Sequence, residues 1–174
     1  MGSYDDFLGI YKYLRNDEQL LRLLYYPPED IADGIKDPLS PTLSNILDRD
    51  PMELSKIRKE HIMKSLKSDD LVDKQICRIY IYAGRRTPEN RNYAFADQQL
   101  HIDVLVHNDI ENSDFRSNRI NDTLNNLLIS NNVAGIGKME YYGGDIITVP
   151  KNYIGYKNVY SFGTFKRSAK KWVI

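Results

Sequence analysis

Ile76–Asn108 reads ICRIYIYAGRRTPENRNYAFADQQLHIDVLVHN, and both of its ends alternate between apolar and polar side chains. Cys77, Ile79 and Ile81 take turns with Arg78, Tyr80 and Tyr82. Leu100, Ile102, Val104 and Val106 take turns with His101, Asp103 and His107. A period of two sends alternate side chains to opposite faces of a sheet, so the stretch predicts a half-buried antiparallel pair. Between the two strands, Gly84–Ala96 predicts a long polar loop carrying Arg85, Arg86 and Arg91 with Tyr93 and Phe95. That is longer than a hairpin needs, since common hairpin connections take about two to five residues.

Upstream, Phe7, Ile10, Tyr11 and Leu14 recur at helical spacing behind Ser3, a predicted cap with Asp6 at the third position of a capping box. Asn16 and Asp17 offer a break and a second cap before Leu20, Leu21, Leu23 and Leu24, and Pro27-Pro28 ends that helix. Glu29–Asp50 is broken by Asp37-Pro38, Pro41 and Asp50-Pro51, and predicts a long surface segment or interaction arm. Pro51 to about Lys67 predicts a helix, with proline at the first helical position and Leu54, Ile57 and His61 on its apolar stripe.

Downstream, Ser113 or Asp114 caps a helix whose buried face is Ile120, Leu124, Leu127 and Leu128, with Asn131-Asn132 as its stop. Lys138–Tyr142, Gly143-Gly144 and Asp145–Val149 then predict a tight hairpin. Tyr156–Lys166 predicts a last aromatic-rich strand in which the Gly163 gap marks a bulge. The expectation is an α+β fold: an antiparallel or mixed β-sheet with one main helix packed on one face, preceded by N-terminal helices and a long proline-broken arm. Residues 1–75 form the helical segment and arm, 76–166 a β-β-α-β-β-β core, and 167–174 a basic tail. One helix covers one face only, so the face with Tyr80, Tyr82, Asp103 and His107 is expected to meet solvent or another subunit.

Hydrophobic residues at 41% and charged ones at 28% are ordinary for a soluble globular chain of 174 residues. Lys plus Arg and Asp plus Glu both total 24, so no overall charge points to nucleic acid or membrane. The charge is uneven: residues to Gln75 carry 15 acids and 11 bases, and the remainder 9 and 13. Lys166, Arg167, Lys170 and Lys171 concentrate the excess in the tail, where a solvated terminus is the ordinary reading. The first residues are acidic where a signal peptide is basic, and no apolar run reaches membrane-spanning length, so a cytosolic origin is expected.

Cys77 is a lone cysteine on an apolar strand face, which predicts a buried thiol and excludes an intrachain disulfide. His101 and His107 share a face with Asp103 but sit roughly 20 Å apart at about 3.3 Å per residue, too far for one metal ion. A metal-dependent nuclease built on Asp103 would need a second carboxylate and a lysine on a neighbouring strand. The nearest fragment, Lys138-Met139-Glu140, has the wrong order. No catalytic, cofactor-binding or metal-ligating set is therefore assigned. Arginines interleaved with aromatics also suit single-stranded nucleic acid or a subunit interface, and Arg85, Arg86, Arg91, Tyr93, Phe95, Tyr80 and Tyr82 are the interface candidates.

The order of RIYIYAGRR, QQLHIDVLVHN, RINDTLNNLLISN, AGIGKMEYYGGD and IGYKNVYSF over roughly 76–165 resembles the tail-terminator and head–tail connector proteins of tailed bacteriophages. The resemblance implies a sheet with helices on one face. It implies a non-enzymatic virion protein of the neck, assembled in the host cytoplasm as a ring, hexameric in the tail-terminator case, that caps the tail tube. The implied partners are further copies of the chain, the tail tube protein and a head-side connector or stopper protein. Viral DNA would pass through the ring unread, and no cofactor or membrane is involved. Another neck or head-completion role is the alternative within that class.

Overall fold

A computed structural model describes residues 3–90 and 92–165; for Asn92 and Tyr93 it describes the backbone alone. Arg91 and the basic tail lie outside the described residues. The helices are α1 (Ser3–Leu14), α2 (Glu18–Tyr25), α3 (Pro51–His61), α4 (Asn108–Asp114) and α5 (Arg116–Leu128). The strands are β1 (Ile62–Met63), β2 (Cys77–Glu89), β3 (Asn92–His107), β4 (Ile136–Ile146) and β5 (Tyr153–Phe165). They form one five-stranded sheet in the order β1-β2-β3-β5-β4, parallel at β1–β2 and antiparallel elsewhere. The α+β class expected from the sequence is the class observed.

Local chemistry starts the helices where the sequence places it. The Asp17 carboxylate accepts the Leu20 amide at 2.8 Å, and Asp50 accepts those of Met52 and Glu53 at 2.9 and 3.2 Å. Asp6 does not close a capping box. It is buried and accepts the amide of Gly135 at 3.1 Å, tying α1 to the approach to β4. The downstream helix is two: α4 ends at Phe115, in left-handed conformation at φ 51°, and α5 starts there. Phe115, not Ser113 or Asp114, holds the N-cap position of α5 and has no side-chain cap; Glu111 of α4 supplies the acceptor instead, taking the Ser117 amide and hydroxyl at 2.7 and 2.8 Å. Asn131 stops α5 by donating to the carbonyls of Asn126 and Leu127 at 3.2 and 2.9 Å.

One face of the sheet is covered by several helices rather than one. Ile10 and Leu14 of α1, Leu20 to Leu24 of α2 and Ile120, Leu124 and Leu128 of α5 share one core with Ile79, Ile81, Leu100, Ile102, Val104 and Val106. The proline-broken segment is not a free arm. Arg22 donates to the carbonyls of Ser40, Leu43 and Ser44 at 3.2, 2.7 and 3.0 Å, Arg119 grips Asp37 at 2.8 and 2.9 Å, and Ile46 is buried.

The opposite face is covered too, which corrects the expectation of an open one. Tyr80, Leu105 and Tyr153 pack with Leu71 in a second, smaller cluster beneath the segment after β1. Arg78, wholly buried, holds that segment down. Its Nε donates to the Glu60 carbonyl at 2.8 Å, and its two terminal nitrogens bind Asp70 at 2.8 and 3.0 Å.

The other corrections concern strands. Gly143-Gly144 is no hairpin turn: β4 runs straight through it with a register shift between Tyr141 and Gly143, and Gly143 takes φ 150°. A glycine pair serves a bulge as readily as a turn, and periodicity alone does not separate the two. The core is consequently β-β-α-α-β-β, with β5 sandwiched between β3 and β4. Gly163 stays in unbroken register with Asp97 on the β3 side; the irregularity falls on the β4 side, between Ile136 and Glu140.

Asp70→Asn should destabilise the fold by about 2 kcal/mol at pH 7, the scale of hydrogen bonds to a charged group. The Arg78 guanidinium holds the Asp70 carboxyl well below the usual carboxylate range. A depressed folded pKa contributes stability that is complete above the unfolded value of about 4 and fades as pH falls below it. Urea unfolding of both proteins at pH 7 and pH 3 checks this: the gap should narrow at pH 3, and an equal gap would rule out the ion pair as its source.

Candidate functional site

Two regions collect the residues that carry chemistry. The first is a cleft of about 240 Å³ on the outer face, lined by Tyr80, Tyr82, Asp103, Leu105, Lys157 and the Ile147–Pro150 connection. Asp103 is 4% exposed at its floor, and the Tyr82 hydroxyl donates to both its carboxylate oxygens at 3.0 and 2.9 Å. β5 places Lys157 directly opposite Asp103, and β4 places Asp145 opposite Lys157. The lysine that the sequence could not supply on a neighbouring strand is Lys157, fifty-odd residues downstream, where only the register could find it.

Burial raises the Asp103 carboxyl above its ordinary range, while the Tyr82 hydrogen bond and the Lys157 charge pull it back. His101 lies edge-on to Tyr82, at 5.3 Å between ring centres, and its Nε2 is 3.4 Å from Gln99 Oε1. Burial lowers its pKa first, and the Lys157 charge adds to that. The site thus pairs a carboxylate with a phenol and an ammonium. Asp145 stands two strands from Asp103, about 10 Å at the usual strand spacing, so the two carboxylates do not converge on one ion. Among the described residues no three of His, Cys, Asp and Glu are placed to hold a metal.

The other two histidines and the cysteine have structural employment. His107 Nδ1 accepts the Asp109 amide at 3.2 Å at the start of α4, and its ring lies edge-on to Tyr153. His61 is buried with Nδ1 2.7 Å from the Cys77 carbonyl, and burial lowers its pKa. Cys77 is buried as expected, and desolvation pushes its thiol up to about 12.

The second region is the stretch expected to be a loop. β2 and β3 instead stay paired as far as Glu89 and Asn92, making a long two-stranded arm. The arm begins at a bulge between Ala83 and Arg86, and Gly84 sits so close to His101 that a Cβ would lie 2.2 Å from its ring nitrogen. Arg85 and Arg86 are exposed on it, and Phe95 packs edge-on against Phe165 of β5 at 5.5 Å with 37% exposure. The Tyr93 side chain and all of Arg91 are outside the described residues. Of the remaining interface candidates, Tyr82 is half-buried over Asp103. Tyr80 is 2% exposed with its hydroxyl on the Lys67 carbonyl at 2.6 Å, so its surface is already spent within the chain.

A sequence profile of the YomW family matches residues 17–162, which takes in α2, the sheet and α5. The chain belongs to the YomW family. The SPbeta prophage-derived uncharacterized protein YomW of Bacillus subtilis (strain 168) is 34% identical over 171 residues, spanning 94% of this chain and 98% of that protein. The YomW family is thereby a phage-associated one, which agrees with the bacteriophage side of the resemblance drawn from the sequence.

Asp103→Asn should raise the melting temperature at pH 7, since it removes a charge that burial disfavours and keeps an acceptor for Tyr82. A folded pKa above the unfolded value costs stability at high pH and nothing below both, so the gain should vanish below about pH 4. Melting curves across pH 3.5–8 test this, and a variant less stable than wild type at pH 7 would assign Asp103 a stabilising charge.

Proposed function

We propose that the protein is a structural component of a tailed-phage virion, a tail terminator whose ring caps the tail tube and joins it to the head-side connector. A hexamer is the ring size proposed. Its partners are further copies of itself, the tail tube protein and a connector or stopper protein, with viral DNA passing through the opening unread. The protein has no catalytic role in this reading and resides in the neck of the particle.

The observation that carries the proposal is the β2–β3 arm. It extends the central strands beyond the helix-covered core and exposes Arg85, Arg86 and Phe95, the residue types that favour interfaces. An arm of this kind reaches onto a neighbour, and a closed ring of identical subunits engages every arm. The prophage origin of a relative supports the setting. The competing class, a metal-dependent nuclease, has Asp103 and Lys157 in its favour but, among the described residues, no second carboxylate within reach of the same ion.

Electron microscopy of the purified chain at tens of micromolar, and labelling of the protein on parent particles, test the reading. Rings, or label at the head–tail junction, are expected; a chain that is monomeric in solution and absent from the particle would refute it. Replacing the arm beyond the Ala83–Leu100 pair with an Asn-Gly turn should leave the circular dichroism spectrum of the subunit native, because the core residues that β2 and β3 contribute lie at or below that pair. Ring formation and docking should be lost, and normal particles from the shortened chain would show the arm to be dispensable.

A further inference from the structure

The sheet has an open edge at each end. β1 pairs with β2 only at Ile79 and Tyr80, and Pro88 has no amide hydrogen to offer. Along Ile81–Thr87, among the described residues, the side of β2 away from β3 is left without a strand; the Gly84 carbonyl takes a bond from Gln98 Nε2 at 3.3 Å. At the other end, Ser130 and Asn131 close the outer side of β4 at Met139, with bonds of 2.8 and 3.0 Å. From Glu140 to Ile146 no strand of the described residues lies beyond it.

We propose that the Ile81–Thr87 edge of β2 receives the Glu140–Ile146 edge of β4 from a second copy, extending the sheet from subunit to subunit. The inference rests on the ring reading and names the contact that builds the ring.

Strand direction permits it. β3 is antiparallel to β2, β5 to β3 and β4 to β5, so β4 runs antiparallel to β2. Copies set side by side by a rotation therefore bring β4 against β2 in the antiparallel sense, and the contact is head-to-tail, the kind that closes rings. Charge agrees: Arg85 and Arg86 are exposed on one edge, Glu140 and Asp145 on the other.

Shape agrees as well. A largely apolar groove of about 260 Å³ runs beside the β2 edge, between Ile81 and the α1 residues Tyr4, Phe7, Leu8 and Tyr11, with Lys64 at its rim. Tyr141 is 39% exposed and lies on the helix-covered face, its ring 5.4 Å from that of Tyr160. Antiparallel overlap of the two stretches sets Ile146, 80% exposed and in line with Tyr156 and the core residue Val104, opposite Ile81. A continued sheet keeps helix-covered faces on the same side, so the neighbour's Ile146 arrives at this groove and its Tyr141 lies further out, opposite Arg86. The bulge in β2, the bulge in β4 and Pro88 keep each pairing short. One such contact is weak for two free subunits, and only a closed ring satisfies every edge at once.

Disulfide trapping in the full-length chain tests the contact. Arg86→Cys is combined in turn with Glu140→Cys, Tyr142→Cys and Asp145→Cys; the buried native Cys77 stays inert to mild oxidation. At concentrations where rings are imaged, at least one pair should give a ladder of covalent multimers up to the ring number, while each single variant stays monomeric on a denaturing gel. Rings without any cross-link in the double variants would overturn the edge assignment and leave the ring reading standing. Dimers from Arg86→Cys alone would also overturn it, because they require β2 to meet β2. Wild-type protein that stays monomeric in solution and in the particle defeats both. As a second reading, Arg86→Glu should raise the concentration needed for rings about tenfold, and Glu140→Lys in the same chain should restore it. Ring formation unaffected by the single reversal would count against the pairing.

Discussion

Arg78 carries a charge that cannot be shed into a position with no contact with water, and much of the outer layer follows from that. Its donors reach the Glu60 carbonyl at the end of α3, the Lys67 carbonyl at 3.2 Å and both oxygens of Asp70. Lys74 closes the arrangement by bridging Glu60 and Asp70 at 2.7 and 3.4 Å. A stretch with little periodicity of its own is thus wrapped around one guanidinium. Wrapped there, it roofs Tyr80 and Leu105, and β1 ends at Met63, where the chain turns away into that roof. The place where β2 becomes an open edge is a consequence of where that segment turns.

The same device works on the helix side. Arg116, also wholly buried, donates to the carbonyls of Leu23 and Tyr26, which belong to the unsatisfied last turn of α2. Arg119 holds the proline-broken stretch by the Asp37 carboxylate, and Arg22 does the equivalent of Arg116 for its Ser40, Leu43 and Ser44 carbonyls. Backbone groups there have no ladder to join, and guanidinium forks satisfy them instead. The N-terminal third is thereby fastened to α5 by polar contacts as well as by the leucines of α2.

What was legible in the sequence was local. Alternation over Cys77–Tyr82 and Leu100–His107 gave the central pair, and Asp17, Asp50 and Pro51 gave two helix starts, because each signal lies within a few residues of its effect. The partners of Asp6, Arg78 and Arg116 lie from several to more than a hundred residues away, and nothing in their neighbours' identity announces them. Lys157 is the clearest case: it meets Asp103 through the register of β5 on β3, a property of the folded sheet with no trace at either position. The outer roof was missed for the same reason, since Leu71 and Tyr153 join the cluster from opposite ends of the core.

The arm from Gly84 to Ala96 was misread for a different reason. Alternation marks a strand only where one face is buried and the other wet, and here most side chains of both strands are exposed. A strand solvated on two faces has the composition of a loop. Its order comes from pairing, from the alignment of Gly163, Thr164 and Phe165 on Asp97, Ala96 and Phe95, and from the ring contact of Phe95 with Phe165. Two-stranded ribbons are marginal in water because they bury little apolar area against the entropy of ordering. This one holds because the core anchors one end and β5 flanks part of its length. Beyond Phe95 no third strand supports it among the described residues, so the outer part of the arm is held by the β2–β3 pairing alone and leaves its described side chains exposed.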